Sequence, residues 1–182
     1  MNSIEKKLVR ERNIYSGIAE TIASNFPDLR KEAIKESLVG FPNVAHRLEE
    51  VATIKGISFI NDSKATNVNA CWFALESMNR PVIWIAGGQD TGNDYSAIRE
   101  LAAEKVKALI CLGRDNTNLV RSFKRTIGVP LELDNMKEAV NIAYCIASPG
   151  DVVLLSPACP SFDLFENYAD RGKCFREAVL EL

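Results

Sequence analysis

From Val82 to Leu182 the chain alternates short apolar runs with amphipathic ones, and this alternation leaves few folds open. Val82-Ile83-Trp84-Ile85-Ala86 and Val152-Val153-Leu154-Leu155 are continuous apolar runs, as expected of strands buried on both faces. Val106–Leu112 and Leu131–Leu133 read as further strands. Helical spacing marks Ser96–Ala103, Asn116–Ile127 and Met136–Ser148, and Ser161–Leu180 contains a last helix. Four strand–helix units in series require a parallel sheet with right-handed crossovers and helices on both faces. Ahead of them, two short strands, Leu48–Ile54 and Ile57–Ile60, flank Lys55-Gly56, a pair that suits a hairpin turn.

The expected fold is therefore α/β: a Rossmann-like, doubly wound, mostly parallel sheet with a short N-terminal β-hairpin, preceded by a helical segment. That segment covers residues 1–38, where Ile4, Leu8, Ile14, Ile18 and Ile22 recur at roughly helical spacing up to Pro27. Phe41-Pro42-Asn43 reads as a linker, placing a boundary near residue 40. A net charge of −2 gives no global basic field to recruit nucleic acid, so an anionic ligand must be held by local charges. No apolar run reaches the ~18 residues of a membrane span, and a cytoplasmic setting is expected. The five cysteines are odd in number and form no C-x-x-C pair, which suits reduced, core-filling thiols. His46 is the only histidine, which argues against zinc sites and multi-histidine catalysis.

In a doubly wound sheet the carboxyl ends of the strands carry the site. Four loops fall there. Asn61-Asp62-Ser63-Lys64-Ala65-Thr66-Asn67 offers a carboxylate, an ammonium, hydroxyls and amides, with Thr66 or Asn67 able to cap the helix that follows. Gly87-Gly88-Gln89-Asp90-Thr91-Gly92-Asn93-Asp94 supplies glycines that permit close backbone approach. Gly113-Arg114-Asp115 adds a basic residue. Ser156-Pro157-Ala158-Cys159-Pro160-Ser161-Phe162-Asp163 ends where the last helix should start, so Ser161 is expected as its N-cap. The Ser161 hydroxyl and the Phe162 N–H would then meet a carboxylate, with Asp163 in the first turn. Arg47 can fork onto phosphate oxygens or pair with Glu49 or Glu50; His46 reads as a packed or capping imidazole. Neither a G-x-x-x-x-G-K-[ST] loop nor a G-x-G-x-x-G fingerprint occurs, which disfavours a nicotinamide-dependent oxidoreductase.

Taken together, His46-Arg47-Leu48-Glu49, the Asn61–Asn67 string, Gly87-Gly88-x-Asp90-x-Gly92-x-Asp94 and the run from Leu155-Ser156-Pro157-Ala158-Cys159 to Arg171-Gly172-x-x-Phe175 resemble the C-terminal domain of one branch of the Mur ligase family. That branch is the UDP-N-acetylmuramoyl-L-alanine:D-glutamate ligases of peptidoglycan synthesis. The resemblance covers about residues 12 to 180, with 1–40 similar to the end of the family's central ATPase domain and 41–182 to its C-terminal, D-glutamate-binding domain. It implies ATP and Mg2+ as cofactors, bound mainly by domains this chain lacks, and D-glutamate and UDP-N-acetylmuramoyl-L-alanine as further partners. The N-terminal and central domains of the same polypeptide would complete the enzyme, so the chain is expected to be a fragment, inactive alone. Residue by residue, the resemblance implies Asn13, Arg47 and Asp62 on the ATP side. It implies Lys64 and Thr66 as catalytic and glutamate-side residues, Ser161 and Phe162 on a D-glutamate carboxylate, and Tyr168 lining the same pocket. Thr91 stands where the family usually has a glutamate-binding lysine, and Arg12 where it has a histidine. The competing reading is a stand-alone Rossmann-like regulatory module that binds a small acid or nucleotide.

Overall fold

In the computed structural model of the chain the described residues are 45–182. The helical segment expected before residue 40, the boundary beside it and Asn13 lie outside them. The hairpin is formed by β1 (Glu49–Ile54) and β2 (Ile57–Asn61), antiparallel to each other. Lys55 and Gly56 both have positive φ (47° and 81°), as a primed two-residue turn requires. There follow α1 (Val68–Glu76), β3 (Val82–Gly87), α2 (Ser96–Lys105), β4 (Val106–Leu112), α3 (Thr117–Phe123), β5 (Leu131–Leu133), α4 (Met136–Ile146), β6 (Val152–Ala158) and α5 (Tyr168–Leu180).

The six strands make one sheet in the order β1-β2-β6-β3-β4-β5, parallel except for β1. The chain passes from β2 to β3, builds outward to β5 and then returns to insert β6 between β2 and β3. The loops after β2, β6, β3 and β4 thus share one edge, and the strand order reverses in their midst.

Every residue of β3 and β6 is buried, because both faces are covered. On one face Ile83, Ile85, Val153 and Leu155 pack with Ala139, Val140 and Ala143 of α4 and with Phe175 and Val179 of α5. On the other, Trp84 meets Phe123 edge-on at 5.2 Å and donates its indole N–H to the Ser156 carbonyl (2.8 Å). A buried indole needs such a partner, and here it ties β3 to the loop end of β6.

The helix ends differ from the sequence expectation by one or two residues at α2 and α4 and by more at two places. α3 stops at Phe123 rather than Ile127, with the N–H groups of Thr126 and Ile127 folding back onto the Phe123 carbonyl. α5 begins at Tyr168, seven residues after Ser161, because Asn167 is its N-cap: an extended residue whose side chain accepts from the Ala169 and Asp170 N–H groups (both 2.9 Å).

Candidate functional site

The loop after β2 is built inward. Asn61 is fully buried; its oxygen accepts the Ser63 N–H (3.1 Å), and its amide donates to the Gly172 carbonyl (3.1 Å) and to His46 Nδ1 (3.0 Å). Since the Ser63 and Gly172 contacts fix which end of that amide is nitrogen, Nδ1 must accept and the imidazole proton sits on Nε2. A Cβ on Gly172 would lie 2.3 Å from His46 Nδ1, so α5 must carry glycine there. His46 is thus the packed imidazole the sequence suggested, held with φ 63°.

Asp62, expected on the nucleotide side, is 3% exposed and turned inward. It accepts the Leu48 N–H (3.2 Å) and the Ser156 hydroxyl (2.8 Å). Burial pushes its carboxyl up to about 7, against those two hydrogen bonds and the nearby Arg47 charge, which favour the anion. Its carboxylate holds the turn that carries Arg47. Arg47 makes no ion pair with Glu49 or Glu50 among the described residues; Glu49 is engaged by Arg176 and by the His46 N–H.

Lys64 and Thr66 are half-buried at the tip of this loop. The Lys64 ammonium lies 5.8 Å from the Tyr168 ring centroid, a cation–π distance. Asn67 rather than Thr66 caps α1, accepting the Ala70 N–H (2.9 Å). That leaves Thr66 outside the cap.

The loop after β3 is organised by Asp90, which accepts from Gly92 N, Asn93 N and the Tyr95 hydroxyl (2.8 Å each) and from Asn118 (3.0 Å). Burial works against ionisation, but these four donors outweigh it and hold the carboxyl below the usual range. The exposed apex is Thr91. Gly88, at φ 128°, lies so close to the loop after β6 that a Cβ would fall 2.2 Å from the Pro160 carbonyl oxygen.

The loop after β6 corrects one expectation. Ser161 does not cap the last helix, and neither the Phe162 N–H nor Asp163 belongs to its first turn. The chain makes a single turn first, with the Phe165 N–H on the Ser161 carbonyl (2.9 Å), and Asn167 supplies the stronger cap further on. Asp163 instead accepts the Arg114 N–H (3.1 Å), joining the loops after β6 and β4. The Ser161 hydroxyl is buried and has no partner among the described residues, while Phe162 is 66% and Tyr168 38% exposed.

One residue of the quoted motif, to which the sequence assigns no role, ties the edge together. Arg171, only 1% exposed, donates Nε to the Ser63 hydroxyl (3.0 Å), one terminal nitrogen to the Ser63 carbonyl (2.9 Å) and the other to the Cys159 carbonyl (3.0 Å). A longer contact reaches the Gly87 carbonyl (3.4 Å). Three loops are thus clamped by one guanidinium. Burial lowers it to about 10, which leaves it charged at neutral pH. The sequence does carry a signal: Arg171 lies four residues before Phe175 on the apolar stripe of α5, where a charge needs a reason.

The arrangement is therefore a doubly wound sheet whose carboxyl edge sets Arg47, Lys64 and the buried Arg171 among free hydroxyls, a platform for an anionic ligand. The chain matches the family "Mur ligase, glutamate ligase domain" over residues 46–159 and belongs to the Mur ligase family. Within it, the chain is 54% identical over 170 residues to the UDP-N-acetylmuramoylalanine–D-glutamate ligase of Porphyromonas gingivalis, covering 93% of this chain and 38% of that protein. It is 49% identical over 182 residues to the enzyme of the same name from Christiangramia forsetii, covering all of this chain and 41% of the relative. The chain thus spans about two fifths of the length of these curated relatives. Among solved structures, the bifunctional folylpolyglutamate synthase/dihydrofolate synthase of Yersinia pestis, complexed with AMPPNP and a Mn ion, shares the fold. Its TM-score is 0.51 at 15% identity, over 77% of this chain and 32% of that one. No helix among the described residues is long and apolar enough to cross a membrane.

Proposed function

We propose that the chain supplies the D-glutamate pocket and part of the ATP site of a cytoplasmic, ATP-dependent ligase that joins D-glutamate to UDP-N-acetylmuramoyl-L-alanine. Residues 41–182 are the C-terminal domain in this reading, and 1–40 the end of the central ATPase domain. The observation that carries it is the clamp of Arg171 on the loops after β2, β3 and β6, which holds Lys64, Thr66 and Ser161 along one edge.

The reaction implied by the family is phosphorylation of the muramoyl-alanine carboxylate by ATP. The amine of D-glutamate then attacks the acyl phosphate, and phosphate leaves from the tetrahedral intermediate. Negative charge grows on phosphoryl and carbonyl oxygens, so a preorganised ammonium lowers the barrier, and Lys64 is positioned by Tyr168 to supply it. Thr66 donates to the same oxygens. The unpartnered Ser161 hydroxyl and the Phe162 N–H receive a glutamate carboxylate, with Tyr168 as the pocket wall. Arg47 forks onto nucleotide phosphate, and Asp62 braces its turn. ATP and Mg2+ would be held mainly by the other domains; among the described residues no group of three or more His, Cys, Asp or Glu side chains could hold a metal ion. Closure of this domain over the central one would bring amine and acyl phosphate together.

Thr91 lacks the charge that the family's lysine brings to glutamate. A hydrogen bond to a charged group is worth roughly 1.5–3 kcal/mol, so Thr91→Lys should tighten D-glutamate binding by about tenfold or more. Calorimetric titration of the chain and of Thr91→Lys with D- and L-glutamate checks both points. The expected result is heat with the D-isomer that strengthens in the variant; equal, feeble heats for both isomers in both proteins would refute the reading.

A further inference from the structure

Arg171 grips the loop that offers Ser161 and Phe162 from one side, through the Cys159 carbonyl. The other side is held by Asp163, to which no step above gives a part. Asp163 Oδ2 accepts the Arg114 N–H (3.1 Å). The same oxygen borders a notch at Gly113. A Cβ built on Gly113 would lie 3.1 Å from Asp163 Oδ2, 3.1 Å from Asn116 Oδ1 and 3.1 Å from the Gly88 nitrogen. The loops after β3, β4 and β6 therefore close on one bare α-carbon, and a side chain there would press all three apart. Beside the notch the Gln89 N–H donates to the Pro160 carbonyl (2.9 Å), one residue before Ser161.

Charge adds a second link. Arg171 is buried, and its hydrogen bonds go to carbonyls and a hydroxyl, none of which carries a charge. A buried cation so placed is costly unless an anion lies near. The Asp163 carboxylate is near enough that its field favours the charged guanidinium. One side chain thus holds the loop after β4 by a hydrogen bond and supports the Arg171 clamp by its charge, two residues from Ser161.

We propose that Asp163 is a positioning residue of the glutamate pocket: as acceptor for the loop after β4 and counter-charge to Arg171, it sets where the Ser161 hydroxyl and the Phe162 N–H stand. It touches no substrate and acts through those two groups. The inference rests on the reading of this edge as a D-glutamate site. Small displacements of groups that orient a substrate are expensive, which is why a residue behind them matters.

The test is amide NMR of the chain and three variants titrated with D-glutamate. In the wild type the Lys64, Thr66 and Phe162 amides should shift together. In Asp163→Ala the dissociation constant should rise about tenfold, and the Phe162 amide should stop responding while Lys64 and Thr66 still shift. A loss of folded protein alone would lower all three responses in proportion. Asp163→Asn keeps an acceptor for the Arg114 N–H without the charge, so it should restore the Phe162 response at an affinity between the other two. Gly113→Ala leaves Asp163 in place but wedges the notch, and should reproduce the loss at Phe162. Wild-type affinity and Phe162 response in both Asp163→Ala and Gly113→Ala overturn the proposal, as does a loss spread evenly over the three amides. A wild type that shows no D-glutamate response at Lys64 and Thr66 sinks the glutamate reading itself, and this proposal with it.

Discussion

Asp62 and Arg171 are oppositely charged, both buried, and not paired with each other, so each responds differently to change. The folded Asp62 carboxyl titrates near 7, against an ordinary 3.8. A raised pKa means that the folded state binds the proton more tightly than the unfolded one. The associated stability is fully present below about 3.8 and is lost as the pH rises through 7. From pH 5 to 8 the wild type should therefore lose on the order of 2–3 kcal/mol relative to Asp62→Asn, which cannot ionise. Urea denaturation of both proteins at the two pH values checks this; parallel stabilities would contradict it. Arg171 donates to carbonyls and a hydroxyl rather than to a carboxylate, so its loss strands several buried acceptors at once. Arg171→Met should cost roughly 2–4 kcal/mol in the same measurement. Arg171→Lys should recover only part of that, because an ammonium cannot span three loops as a planar fork does.

At the scale of elements, strand positions were legible because apolar runs buried on both faces have few other uses. Val82–Ala86 and Val152–Leu155 were found from that pattern alone, and β3 and β6 extend those runs by one and three residues. The start of α5 was not legible, because Ser161 and Asn167 are both good caps and only the tertiary path of the loop after β6 chooses between them. The site was readable as a set of loops from strand order, but the partners of Asp62, Asp163 and Arg171 arise from contacts across 12 or more residues of chain, to which local spacing is blind. The choice of cap makes paired predictions. Asn167→Ala removes a side chain that accepts two helix N–H groups and should cost about 1 kcal/mol. Ser161→Ala removes a hydroxyl with no partner among the described residues and should leave stability within about 0.5 kcal/mol of wild type. Chemical denaturation of the two variants side by side checks the contrast; equal losses would restore Ser161 as a cap.

For the molecule as a whole, the sheet has two ends of different character. The carboxyl edge joins four loops through Arg171, Asp163 and Asn61. The opposite end carries a cleft of about 480 Å³ lined by Arg80, Glu104, Lys105 and Lys107 among others, where the Lys105 ammonium donates to the Glu76 and Met78 carbonyls and that of Lys107 pairs with Asp151. Net charge does not separate the two ends, but geometry does: only the first sits where the strand order reverses. The most direct measurement is therefore amide NMR of the chain titrated with D-glutamate. The account predicts shifts concentrated in residues 62–67, 88–93 and 158–172. Shifts concentrated at 78–81 and 104–107, or spread without regard to the carboxyl edge, would contradict it.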